Sequence, residues 1–130
     1  QLTNGNTEAQ QIYQERLPRW LEAVDAYRKA LELQPGNDVI HADIAASLCY
    51  YGLDTNNPQW AAEGLSEAEK ALQAAPQDAR VLLSHGICLV AVDPPQTERA
   101  IQQWQLVLSI PGVAPGLQLQ AQILIDEYNQ

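Results

Sequence analysis

Apolar side chains recur three and four residues apart along most of the chain, and this spacing places them on one face of an α-helix. No stretch alternates apolar and polar residues at period two between turn residues, so strands are not expected. The sequence therefore predicts an all-α fold in a single domain, residues 1–130. Helices are predicted at about 8–17, 19–34, 39–52, 58–74, 79–92, 98–109 and 116–128.

Polar residues that favour helix N-termini stand just before most of these segments. They are Thr7, Asn37 or Asp38, Asn57, Asp78 and Thr97. The Asn57-Pro58 pair predicts a start most sharply, because proline suits the first helical position, where its missing amide hydrogen costs nothing.

The helical segments contain three similar copies, each with small and large residues at fixed positions before a closing proline. The first contains Trp20, Ala23, Tyr27, Ala30, Leu31 and Pro35; the second Ala61, Gly64, Ala68, Ala71, Leu72 and Pro76; the third Ala100, Trp104, Val107, Leu108 and Pro111. We expect the small residues to let a paired helix approach closely. Tyr27 and Trp104 would fill the space between copies.

This pattern resembles the tetratricopeptide repeat, a pair of helices with a period of 34 residues. The resemblance implies an α-α superhelix of about three helix hairpins, at about 7–35, 38–76 and 79–111, with a C-terminal capping helix at about 116–128. The first two closing prolines are 41 residues apart. Because this interval exceeds the period by about seven residues, we expect an inserted loop at 53–59.

Several short sequence blocks occur in an order that resembles a narrower group of proteins. They are Tyr27-Arg28-Lys29-Ala30-Leu31, Leu48-Cys49-Tyr50-Tyr51, Lys70-Ala71-Leu72 and Arg99-Ala100-Ile101-x-x-Trp104-x-x-Val107-Leu108. With a long loop in the middle repeat, this order is similar to the periplasmic domain of bacterial cytochrome c maturation proteins of the CcmI, CycH and NrfG type. The resemblance covers about residues 20–128. It implies a chaperone that holds unfolded apocytochrome c and presents it for haem attachment.

In tetratricopeptide arrays the first helix of each hairpin lines a concave groove, and the resemblance assigns candidate peptide-binding residues to these helices. They are Ile12, Glu15 and Arg16, then Val39, Ala42, Ala46, Cys49 and Tyr50, then Arg80, Leu83, Ile87 and Val90. A mostly apolar groove suits an amphipathic helix or an extended apolar peptide. It lacks the basic and amide side chains that clamp a terminal carboxylate. The alternative is that these side chains pack against neighbours and bind nothing.

Charge narrows the choice of partner. Lys and Arg number 7 and Asp and Glu number 16, so the net charge is −9 with neutral histidines, and the pI is about 4.4. Nucleic acid and anionic membrane surfaces are therefore not expected as partners, because both require clustered basic residues. A basic or neutral protein partner agrees with the charge.

The sequence contains no pattern typical of catalysis. It has no Gly-rich phosphate loop, no Gly-x-Ser-x-Gly turn and no His-Glu-x-x-His motif, so we predict neither an enzyme nor a cofactor. His41 and Cys49 stand eight residues apart on one predicted helix, about 12 Å, which is too far for both to bind one ion together with His85 and Cys88, so no metal is expected. Cys49 and Cys88 are interpreted as buried free thiols, with a disulfide as the alternative in an oxidising compartment.

The aromatic residues have predicted structural roles. Trp20 and Trp104 occupy repeat-packing positions. Trp60 is expected to pack against its neighbours, and the alternative is that it marks a contact surface. Tyr50 and Tyr51 are adjacent, so they point to different sides of their helix. We expect Tyr51 in the core and Tyr50 in the groove.

The leading hypothesis is a peptide-binding module that acts as an apocytochrome c chaperone. The alternative is a scaffold that assembles another complex, or that self-associates through the groove into a homo-oligomer. The chain contains no methionine, so we expect a fragment or processed product. The maturation hypothesis adds a membrane anchor before Gln1 and a periplasmic location, and a cytoplasmic location is the alternative.

Overall fold

The computed structural model describes residue 19 and residues 21–129, and this part of the chain is helical between short connections and contains no strand. The predicted all-α class is therefore confirmed for the described residues. The first described helix, α1, covers residues 21–33. The others are α2 (Asp38–Thr55), α3 (Pro58–Ala74), α4 (Ala79–Ala91), α5 (Thr97–Ser109) and α6 (Pro115–Tyr128). The predicted helix at 8–17, its cap Thr7 and the packing position Trp20 lie outside the described residues.

Three predicted N-caps are confirmed, each by a side-chain oxygen that accepts a hydrogen bond from a backbone amide in the first turn. They are Asn37, Asn57 and Asp78, which accept from the amides of Ile40, Gln59 and Arg80 at 3.1, 3.0 and 2.9 Å. The prediction that Thr97 caps α5 is wrong, because Thr97 is already helical. The cap position belongs to Gln96, whose amide donates to the Leu89 carbonyl at 2.8 Å and ties the connection to α4.

The inserted loop predicted at 53–59 is wrong, because the extra residues lengthen the helices instead. α2 continues to Thr55 and α3 begins at Pro58, so only Asn56 and Asn57 connect them. Asn56 ends α2 in the left-handed region, with φ 51°, and its amide donates to carbonyls one turn back. α2 and α3 are 18 and 17 residues long, whereas α4 and α5 have 13 each.

Trp60 and Tyr51 hold this longer hairpin together beside its turn. Their rings meet edge to face, with centroids 5.1 Å apart. Trp60 also packs against a small core of Val24, Ile44 and Leu48, through which α1 contacts α2. The predicted packing role of Trp60 is therefore confirmed. Tyr51, expected in the core, is half-buried at its edge.

The helices stack as hairpins around α4. α2 packs against α3, and α4 packs against α5; the two pairs meet where α4 contacts both α2 and α3. α6 packs on α5 and touches α4. Because it contacts α2, α3, α5 and α6, α4 is buried along its whole middle, from Val81 to Val90.

Trp104 fixes the contact between α4 and α5. It is fully buried, and its indole Nε1 donates a hydrogen bond to the Leu83 carbonyl at 3.2 Å. The ring lies over Gly86, where a Cβ would collide with the indole, so a larger residue at this position would push the helices apart. The predicted structural role of Trp104 is confirmed.

Cys49 and Cys88 form a disulfide between α2 and α4, so the interpretation as free thiols is wrong. Their Cα atoms are 5.2 Å apart, within the range that a disulfide spans, and both residues are fully buried. Gly64 on α3 makes room for this bridge. A Cβ there would collide with Cys49 Sγ and would lie 2.9 Å from the Ala45 carbonyl oxygen. The close helix approach predicted at Gly64 is therefore present.

Candidate functional site

An open groove lies between α2, α4 and α6. Its volume is about 420 Å³, and two other depressions on the described surface have about 310 and 270 Å³. This size falls within the range of sites that bind small ligands or the side chains of a partner. Apolar side chains from all three helices line the groove together with three charged residues.

α2 and α4 each contribute one face, and these two faces form two walls of the groove. The lining residues are Asp43, Ala46 and Tyr50 on α2, and Arg80, Leu83, Ser84 and Ile87 on α4. Their spacing of three or four residues along each helix places them on a common face. The structure thus brings together five of the predicted groove residues, which are Ala46, Tyr50, Arg80, Leu83 and Ile87.

The other predicted groove residues lie elsewhere. Ala42 is fully buried against Ala71 and Val81, and Cys49 is buried in the disulfide, so neither is available to a ligand. Val39 is half-buried at the start of α2 and does not line the groove. Val90 lines a different depression, beside the connection between α2 and α3. Ile12, Glu15 and Arg16 lie outside the described residues.

α6 forms the third wall. The sequence-based prediction missed this wall because it treated the helix as a cap with one apolar stripe, formed by Leu117, Ala121, Leu124, Ile125 and Tyr128. The lining residues of α6 are Leu117, Gln120, Ile123, Leu124 and Glu127. Ala121 and Ile125 face the core, whereas Ile123 is 54% exposed. The missed signal was the apolar Ile123, which stands outside that stripe. Asp43 and Ser84 were also missed.

Burial and neighbouring charges set the ionisation of the groove. Burial raises the pKa of Asp43, and the nearby Arg80 guanidinium acts in the opposite direction. The Tyr50 pKa is raised by burial first, and then by the hydroxyl of Tyr128 and the carboxylate of Glu127. Burial and Glu127 also raise the pKa of Tyr128. Both phenols therefore remain neutral at pH 7.

The histidines serve contacts between helices. His41 Nδ1 lies 2.9 Å from Glu67 Oε2, which joins α2 to α3. His85 is buried, with Nδ1 3.2 Å from Gln103 Oε1 and Nε2 3.9 Å from Glu69 Oε2. Among the described residues, no three His, Cys, Asp or Glu side chains are grouped so that they could hold a metal ion.

No known family profile, curated protein or solved structure matches the chain. None of the described helices combines the length and the apolar character needed to cross a membrane. The described part of the chain is therefore an all-helical domain with an open groove between three helices, lined about equally by apolar side chains and by polar or charged ones.

Proposed function

We propose that this domain binds an apolar segment of another protein in the groove between α2, α4 and α6. The observation that carries this proposal is that apolar side chains of α6 remain accessible in the groove. Ile123 is 54% exposed and Leu124 is half-buried, and they line the groove together with the buried Leu83 and Ile87 of α4. A contiguous exposed apolar surface marks an interaction site more often than scattered apolar residues do.

The walls of the groove favour a helical ligand over an extended one. All three walls are α-helices, whose internal backbone amides and carbonyls already bond within each helix. An extended peptide would find no strand edge with which to pair, and its own backbone groups would lose water without replacement. A helix satisfies its backbone internally, so it loses least when its apolar face enters such a groove.

The helix pairing supports a tetratricopeptide-like arrangement as part of this proposal. In such an array, α2 with α3 and α4 with α5 are successive hairpins, α1 is the second helix of an earlier one, and α6 is the cap. The buried positions Gly64, Ala68 and Ala71 on α3 correspond to buried Ala100, Trp104 and Val107 on α5. The groove would then be the concave face of the array.

Within this class, we propose an unfolded apocytochrome c segment as the first ligand to test. The buried disulfide supports this choice, because disulfides persist in oxidising compartments such as the bacterial periplasm. The long middle loop does not support it, since two residues connect α2 and α3. The resemblance therefore depends on the order of the remaining blocks, chiefly the one from Arg99 to Leu108.

Ile123→Glu is expected to weaken ligand binding at least tenfold. The substitution removes an apolar contact worth about 1.5–3 kcal/mol when buried by the ligand, and it places a charge in the groove. Leu119→Glu is the matched control, because Leu119 is 62% exposed on the same helix and does not line the groove. The measurement is the Kd of a labelled apocytochrome c C-terminal helix peptide, together with peptides selected on the domain from a random displayed library.

The proposal requires that selected peptides bind the parent protein and Leu119→Glu alike and bind Ile123→Glu weakly. Equal binding to all three proteins would place the site elsewhere and would overturn the proposal. Failure of the library to yield any binder tighter than about 100 μM would also overturn it. Sedimentation of the domain alone distinguishes self-association from binding of another protein. A dimer that Ile123→Glu dissociates would show that a second copy occupies the groove.

A further inference from the structure

We infer that the ligand of the groove is an amphipathic helix that carries a lysine or arginine, and that this basic side chain lies beside Glu127 and Tyr50, which both line the groove. The inference rests on the proposed function, because it assigns the chemistry of the ligand to the same groove. It follows from the different charges at the two ends of the groove.

The two ends are defined by α2. Asp43 and Tyr50 both line the groove from this helix and stand seven residues apart, which is about 10 Å along an α-helix. Asp43 interacts electrostatically with Arg80 of α4, whereas Tyr50 interacts with Glu127 and Tyr128 of α6. One end of the groove therefore joins α2 to α4, and the other joins α2 to α6.

Charge is balanced at the first end and unbalanced at the second. The Arg80 guanidinium lies close enough to Asp43 to affect its pKa, so this end offers no net charge to a ligand. At the second end, Glu127 is negative and no Lys, Arg or His stands among the described residues that line the groove there. The surrounding chain adds to the negative electrostatic potential around Glu127, because residues 41–130 contain three basic and ten acidic side chains.

The second end also supplies the contacts that a cation prefers. Glu127 is exposed and offers a carboxylate to a ligand in the groove. Tyr50 lines the same groove, and an ammonium or guanidinium group is attracted to the face of a tyrosine ring. Tyr128 does not line the groove, because its ring packs against Trp104 with the centroids 5.6 Å apart.

Two synthetic amphipathic peptides test this inference with the full chain. Both are about 15 residues long with the same leucines at i, i+3, i+4 and i+7, and one has lysine at both ends where the other has glutamine. Lysine at both ends ensures that either binding direction places one beside Glu127. We expect the lysine peptide to bind about three- to tenfold more tightly in fluorescence anisotropy, the size expected for a partly exposed charge pair with a cation–π contact.

Glu127→Gln is expected to remove this preference, and Asp126→Asn is the matched control. Asp126 is the adjacent residue, its substitution removes the same charge, and like Glu127 it is exposed. It lies outside the groove, however, and accepts a hydrogen bond from Gln122 at 3.0 Å. Equal affinities of the two peptides for the parent protein would overturn the basic-residue inference and leave the proposed function intact. A preference that survives Glu127→Gln, or that Asp126→Asn also removes, would overturn it too. If neither peptide binds, both the inference and the proposed groove function fail.

Discussion

Trp104→Ala is expected to lower the free energy of unfolding by about 4 kcal/mol, in the range measured for removing a large buried aromatic side chain. Trp104 has no exposed surface, and it fills the space that Gly86 leaves between α4 and α5. The substitution also removes the hydrogen bond to the Leu83 carbonyl and the ring contact with Tyr128. Since small domains are stable by about 5–15 kcal/mol, much of the total would be lost.

Equilibrium denaturation in urea measures this loss, with Trp60→Ala as the matched control. Trp60 is only half-buried, so its removal is expected to cost roughly 1–2 kcal/mol. Trp104→Phe keeps an aromatic ring in the gap and should fall between the two. A cost for Trp104→Ala no larger than that for Trp60→Ala would contradict the central role of the α4–α5 contact.

Removal of the disulfide is the second large effect, with an expected loss of about 4 kcal/mol for a closed loop of this length. The bridge links residues 39 apart in sequence, and its main effect is to restrict the unfolded chain. The double variant Cys49→Ala/Cys88→Ala should therefore unfold at lower urea concentration than the oxidised parent protein. Its stability should not change when a reductant is added.

Reductant should bring the parent protein close to the double variant once the two are equilibrated in urea. Both cysteines are fully buried, so reduction is expected to be slow until the chain unfolds. Thiol titration of the purified parent protein in denaturant without reductant should find no free thiol. Detection of two reactive thiols per chain would contradict the disulfide and would remove its support for an oxidising compartment.

Local signals in the sequence predicted most of the helix boundaries. Asn57-Pro58 starts α3 where expected, because a cap and an N-terminal proline act on their own turn and need no tertiary partner. The end of α2 was harder to predict from the sequence. A tetratricopeptide period suggested a loop, but Asn56 ends the helix later, and the Tyr51–Trp60 contact supports the longer hairpin. Such a contact exists only once the two helices have paired.

The walls of the groove were predicted unevenly for the same reason. Leu83 and Ile87 follow from the face of a single helix. The burial of Ala42 and the pairing of Cys49 depend on how closely α2, α3 and α4 approach one another. Gly64 permits this close approach, but the sequence alone does not show how close it is. The contribution of α6 depends on how it packs against α5 and α4, and one apolar stripe was not enough to show that Ile123 lies in the groove.

The most direct test of the central claim is an NMR titration of the isotope-labelled domain with the lysine peptide. The proposed groove predicts the largest amide shift changes on the facing surfaces of α2, α4 and α6, around Ala46, Ile87 and Leu124, with a single saturating affinity. Shift changes confined to the outer faces of α3 and α5, or to the depression lined by Val90, would contradict the claim. The absence of any change at about 1 mM peptide would contradict it as well.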